Sequence, residues 1–156
     1  MKQMPLVVPM AVVDVTLRYL RRAGERRSEG VVLWLGRRVA GAISVIEAYV
    51  PDQETDFDFF RIPPHAMAAL LTHIGATESF IAAQVHSHPH EAFHSEADDR
   101  WAIVRHLDAF SLVVPHFARD TTLANFVAQI TAFRLSAANE WRRLDSGDCK
   151  RLVTIA

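Results

Sequence analysis

The chain is poor in cysteine, in net charge and in long apolar runs, and each shortage excludes a class of protein. A single cysteine, Cys149, among 156 residues allows neither an intramolecular disulfide framework nor a multi-cysteine zinc site. It has no helix start beside it, so a catalytic thiol is not expected. A formal net charge of -1 at pH 7 leaves no global field to favour nucleic acid or an anionic membrane. No run approaches the ~20 apolar residues of a membrane span. Pro5, Pro9 and Asp14 interrupt the apolar N-terminal stretch, and no small-residue cleavage site follows it, so a cytoplasmic protein is expected. Internal repeats, low-complexity segments and linkers are also missing.

What is present suits one globular domain over residues 1–156, with a core over about residues 10–145. Apolar residues make up 50% and charged residues 22%, an ordinary globular balance. Arginines gather in "RRAGERR" (21–27) and "EWRRLDSGDCKR" (140–151). Acids and small residues break both clusters, as on a solvated face, and the alternative is a docking surface for an acidic or carboxylate-bearing partner.

"PLVVP" reads as a short extended piece bounded by prolines. From Met10, apolar residues at helical spacing predict a first helix that stops at Gly24. "EGVVLWLGRRVAGAISVIEAYVP" predicts two strands, 30–36 and 39–50, separated by "GRRVAG" and paired as a hairpin or meander. A short strand is expected near Phe57–Arg61. "IPPHAMAALLTHIG" opens on prolines suited to a first helical turn and predicts a second helix. "SFIAAQVHSH" predicts a buried strand, "HEAFH" a loop, and "SEADDRWAIVRHL" a third helix capped by Ser95. "FSLVVP" predicts another buried strand. "ANFVAQITAFRL" and "EWRRLD" predict two closing strands before a short tail. Strands and helices interleave without strict alternation, which gives an α/β or α+β fold with a central mixed sheet flanked by helices.

Residues 84–99, "QVHSHPHEAFHSEADD", hold four of the eight histidines and four carboxylates. His86 and His88 are two apart on a strand, so both imidazoles point to one face, close enough to share a metal. Ser95, as helix cap, places Asp98 at the third helical residue, back beside the strand end. Two imidazole nitrogens, one carboxylate oxygen and an open fourth position describe a catalytic zinc site rather than a closed structural one. His90 and His94 read as exposed loop residues, and His65, His106 and His116 as surface or hydrogen-bonded structural ones. Trp34 and Trp101 fall in apolar runs and read as core, whereas Trp141 sits among arginines where a partner could reach it.

These residues carry a resemblance to the JAMM (JAB/MPN) metalloprotease domain, whose motif is an upstream glutamate, H-[ST]-H-P, a loop of about six residues and S-x-x-D. "HSHP" (86–89) and "SEAD" (95–98) match, although the loop "HEAFH" has five residues. "EGVVLWLG" (29–36) is similar to the E-x-x-G-L-L-L-G pattern of the bacterial branch, without its interior glycine. Glu29 is therefore the candidate general base and Glu47 its rival. Asp99 is the substitute ligand should the shorter loop displace Asp98. The resemblance covers about residues 10–135.

By that resemblance the fold is a single MPN-type domain with a curved sheet. The chain is then a zinc metalloprotease, or isopeptidase, cleaving after the C-terminal tail of a ubiquitin-like protein. One Zn²⁺ would be held by His86, His88 and Asp98. Glu29 would act as general base and Ser95 as donor to the oxyanion. Partners implied are a ubiquitin-like protein or its conjugates and E1- and E2-like proteins, with no nucleic acid and no membrane. A metal-free MPN scaffold and a RadC-like DNA-associated protein are the alternatives.

Overall fold

The computed structural model describes residues 3–92, 103, 106 and 108–156. Its framework is one eight-stranded mixed sheet with helices on both faces, an α+β arrangement. In chain order come β1 (Leu6–Val8), α1 (Met10–Glu25), β2 (Val31–Val39), β3 (Ala42–Tyr49), β4 (Glu54–Asp56), β5 (Phe59–Arg61), α2 (Pro64–Thr77) and β6 (Phe80–Ser87). Then follow β7 (Phe110–Val114), a short 3₁₀ turn (His116–Ala118), α3 (Phe126–Gln129), β8 (Thr131–Leu135), β9 (Trp141–Arg143), α4 (Ser146–Leu152) and β10 (Val153–Ile155). The strand order is β10-β1-β3-β2-β6-β7-β8-β9, while β4 and β5 form a separate hairpin.

The run "VVLWL" in β2 is apolar throughout because both faces of the sheet are covered. Val32 and Trp34 face the larger core, with Val12, Val13, Leu17 and Leu20 of α1 and with Phe126. Val31, Leu33 and Leu35 face the smaller core under α2, with Leu70 and Phe60. The valines of α1 do not prevent the helix, since Val12 and Val13 lie on its buried face and packing outweighs their modest propensity deficit. Trp34 donates its Nε1–H to Thr16 Oγ1 at 2.8 Å, and Thr16 in turn donates to the Val12 carbonyl at 2.7 Å. The buried indole is thus fully satisfied.

Several sequence expectations are corrected. β2 does not end at residue 36 but runs to Val39, because the reversal needs only Ala40 and Gly41, both at positive φ (47° and 79°). That is the backbone of a two-residue hairpin turn, and Gly41 supplies it without steric cost. The strand expected near Phe57–Arg61 is the second arm of the β4–β5 hairpin. "ANFVAQITAFRL" is not one strand: α3 ends at Gln129, Ile130 turns extended, and only Thr131–Leu135 pairs in the sheet.

The short tail is instead α4 and β10. Asp145 caps α4 by accepting from the Asp148 N–H, and β10 pairs parallel with β1. Leu6, Val8, Leu152 and Val153 are all core residues, so the core extends past both ends of the expected 10–145. The third expected helix, from Ser95, falls almost wholly outside the described residues.

After β7 the chain makes an unusual bend. His116, Phe117 and Ala118 all have positive φ (53°, 54° and 61°), a left-handed conformation that costs about 1–2 kcal/mol per non-glycine residue. Here α1 approaches so closely that a Cβ on Gly24 would lie 2.5 Å from the Phe117 Cβ. Only glycine fits at that crossing. Arg21 of α1 holds the bend from the other side, donating to the Ala118 carbonyl at 3.2 Å and to the Thr121 carbonyl.

Candidate active site

The site forms where the start of β2 meets the end of β6. These strands are antiparallel, with Val31 opposite His86, so the same register brings residue 29 opposite residue 88. Gly30 and Ser87 lock it: the Ser87 N–H donates to the Gly30 carbonyl at 3.1 Å, and the Gly30 N–H donates to Ser87 Oγ at 3.0 Å. Side chains alternate along a strand. Glu29 therefore shares a face with Val31 and Leu33, and His88 and His86 share it with Gln84, on the side covered by the β4–β5 hairpin and α2.

Glu29, His86 and His88 are 2%, 0% and 3% exposed. The two imidazole centroids are 5.3 Å apart. Glu29 Oε1 lies 3.6 Å from His88 Nε2, beyond a direct hydrogen bond but near enough to act on whatever His88 holds. Phe60 packs against the His86 ring at 5.2 Å and closes the site from the hairpin side. The Glu29 N–H donates to the Asp56 carbonyl at 2.8 Å, fixing the carboxylate's backbone to the same hairpin. On the other flank the His88 N–H donates to the Val114 carbonyl, and the His88 carbonyl accepts from the Phe117 N–H at 2.7 Å. Both ends of the strand tip are thus pinned.

The structure brings Glu29, His86 and His88 together. Ser95, Asp98 and Asp99 lie outside the described residues, as do His94 and Trp101. Among the described residues no group of three His, Cys, Asp or Glu is gathered into a metal cage. Glu47 is elsewhere: it sits opposite Leu35, one bulge and several residues along β2 from the histidines. Its two carboxylate oxygens lie 2.6 and 2.8 Å from His73 Nε2 of α2, an arrangement that ties α2 to β3. His65 is exposed, His106 bonds the Ile81 carbonyl at 2.8 Å, and Trp34 is core. Contrary to the sequence expectation, a helix starts beside Cys149, which is the fourth residue of α4; it is nevertheless buried, and burial pushes its thiol up from the ordinary value, the opposite of an activated nucleophile.

Three residues were not assigned a role from the sequence. Ser87 supplies the hydroxyl that registers Glu29 against the histidines. Gln53 binds both backbone groups of Val31, accepting from its N–H at 2.8 Å and donating to its carbonyl at 3.0 Å. Gln84, fully buried, donates to Ser111 Oγ at 3.1 Å and accepts from the Ile103 N–H at 3.0 Å. The signal for Gln84 was its parity: a polar residue in an apolar strand, two before His86 and four before His88.

The donor set fits a divalent cation. Two buried imidazoles and a buried carboxylate converge where β2 begins and β6 ends, and nitrogen with oxygen donors suits zinc. A strand-borne pair of imidazoles beside a buried carboxylate is a candidate for part of a metal site.

Comparison with known proteins agrees. No protein-family model matches the chain. It is 30% identical over 154 residues to the probable metalloprotease y4jG of Sinorhizobium fredii, covering 96% of this chain and 93% of that protein. The chain belongs to the family of that probable metalloprotease. In fold it is similar to the solution structure of protein DSY2949 from Desulfitobacterium hafniense, with a TM-score of 0.70 at 15% identity, over 97% of this chain and 92% of that one.

Proposed function

We propose that the protein is a zinc-dependent JAMM-type peptidase or isopeptidase that hydrolyses the bond following the C-terminal tail of a ubiquitin-like protein. The observation that carries this reading is the register of Glu29 against His88, beside His86, all three buried at a strand end. The metalloprotease relative supports the reaction class. The ubiquitin-like substrate, and E1- and E2-like partners, rest on the resemblance of "HSHP" and "SEAD" to the JAMM motif.

In this reading His86 and His88 hold the ion through ring nitrogens, with Asp98 as third ligand. Bound zinc polarises a carbonyl and lowers the pKa of water from ~15.7 towards ~7. Glu29 accepts a proton at its carboxylate and passes it to the leaving amine. Its backbone tie to Asp56 and the Gly30–Ser87 lock hold it in reach without reorganisation. Phe60 and the apolar floor of Val31 and Leu33 exclude water, which strengthens each charge interaction. The Ser95 hydroxyl donates to the developing oxyanion, and its loss should cost ~10²–10³ in turnover.

The test is hydrolysis of a fusion between a ubiquitin-like protein and a reporter peptide. Wild type should cleave it after the tail, a chelator should stop cleavage, and zinc should restore it. Glu29→Gln should lose turnover by at least ~10²–10⁴ while keeping its metal. Cleavage that survives exhaustive chelation, or full activity in Glu29→Gln, overturns the reading.

A further inference from the structure

Gln84 is a fully buried polar residue in the apolar part of β6, and a carboxamide away from water is costly unless both its ends are bonded. Both are. Its amide donates to Ser111 Oγ at 3.1 Å, on the residue beside it in the β6–β7 register. Its Oε1 accepts from the Ile103 N–H at 3.0 Å. An N–H can only donate, so the bond to Ile103 decides which end of the carboxamide faces which partner. Ile103 itself packs against the smaller core. A second tie lies further back along β6, where His106 Nε2 bonds the Ile81 carbonyl at 2.8 Å and its ring meets Phe80 edge-on at 5.8 Å. Residues 103 and 106 are thus fastened to the strand that carries His86 and His88. Passing from His106 back to Ile103 moves the attachment from Ile81 to Gln84, towards the histidines.

We propose that Gln84 is a positioning residue for the metal centre: by holding the Ile103 backbone against β6, it limits how far from His86 and His88 the preceding segment, with Ser95 and Asp98, can lie. The inference rests on one part of the JAMM-type reading, Asp98 as third ligand, and not on the substrate. Packing alone does not call for glutamine, since leucine or methionine would fill the space with no polar group to satisfy. A hydrogen bond does what apolar contact cannot, fixing one backbone atom at one distance. Gln84 and His86 share a face of β6 two residues apart, or roughly 7 Å. Asp98 precedes Ile103 by five residues, and five residues of chain span at most about 18 Å. The anchor therefore leaves Asp98 within reach of the imidazoles while confining it. Without the anchor, metal binding would also carry the entropic cost of ordering that segment.

The test is zinc affinity, by competition with a chromophoric chelator, together with the visible spectrum of the cobalt-substituted protein, which reports the ligand set. Gln84→Met keeps the side chain's length and removes both bonds. Gln84→Glu keeps an acceptor for the Ile103 N–H. Val85→Ala, on the opposite face in the larger core, is the control for lost stability alone. Gln84→Met should bind zinc about 10–100-fold more weakly with an altered cobalt spectrum, and Gln84→Glu should recover most of that loss. Val85→Ala should match wild type in both readouts. Ile103→Pro deletes the donating N–H with Gln84 intact and should weaken zinc as Gln84→Met does; it decides the question if Gln84→Met does not fold. Wild-type affinity and spectrum in folded Gln84→Met or Ile103→Pro, or an equal loss in Val85→Ala, overturns the inference. Zinc binding that depends on Gln84 in a protein that cleaves no fusion keeps the positioning role and discards the peptidase reading.

Discussion

The N–H of Gly30 and the hydroxyl of Ser87 meet at 3.0 Å, and that contact sets Glu29 opposite His88. Ser87→Ala would leave the Gly30 N–H without this partner inside the sheet, at a cost of about 1–3 kcal/mol. Denaturant unfolding should show that loss. Turnover should fall as well, with KM little changed, because the carboxylate is held less firmly over the reacting centre. A stability loss with unaltered turnover would mean the lock serves the fold alone.

Glu47→Gln should separate the two candidate glutamates. The Glu47–His73 contact is about two-thirds buried on each side, so its loss should reduce stability by about 1 kcal/mol or less. Turnover and zinc content should match wild type. A collapse of turnover in a folded, zinc-loaded Glu47→Gln would move the general base to β3.

Trp34→Phe tests the opposite face of the sheet. It removes the bond to Thr16 Oγ1 and part of a fully buried ring, for about 2 kcal/mol of stability. Unfolding midpoints should drop while zinc stoichiometry stays the same.

Cys149 should resist alkylation. The thiolate is the reactive form, and burial raises the thiol's pKa above its ordinary 9.0, so less thiolate exists at any given pH in the folded protein. The sign for stability follows: the folded state keeps its proton longer, so this group's contribution is complete below about pH 9 and declines as pH rises beyond it. Iodoacetamide at pH 8 should label the denatured chain far faster than the native one, as mass spectrometry would read.

Much of this was legible in the sequence because local periodicity reported it. The α1 face, the doubly buried β2 and the H-S-H strand end each repeat at the spacing their element requires. What was not legible was long-range. β1 and β10 are three residues each, too short for a period, and they exist because residues 6–8 and 153–155 pair across the chain. The preference for Glu29 over Glu47 rests on the spacing of "EGVVLWLG" in the resemblance, whereas its physical reason is long-range: the register of β2 with β6 brings Glu29 to the histidines and leaves Glu47 beside His73. The left-handed bend at 116–118 had no glycine to announce it, since the requirement for glycine is met across the gap, at Gly24.

The most direct test of the account is zinc stoichiometry by elemental analysis on wild type and His88→Ala, purified without chelator and dialysed exhaustively. The account predicts close to one zinc per wild-type chain and almost none in a folded His88→Ala. Metal-free wild type, or equal zinc in both proteins, would contradict it.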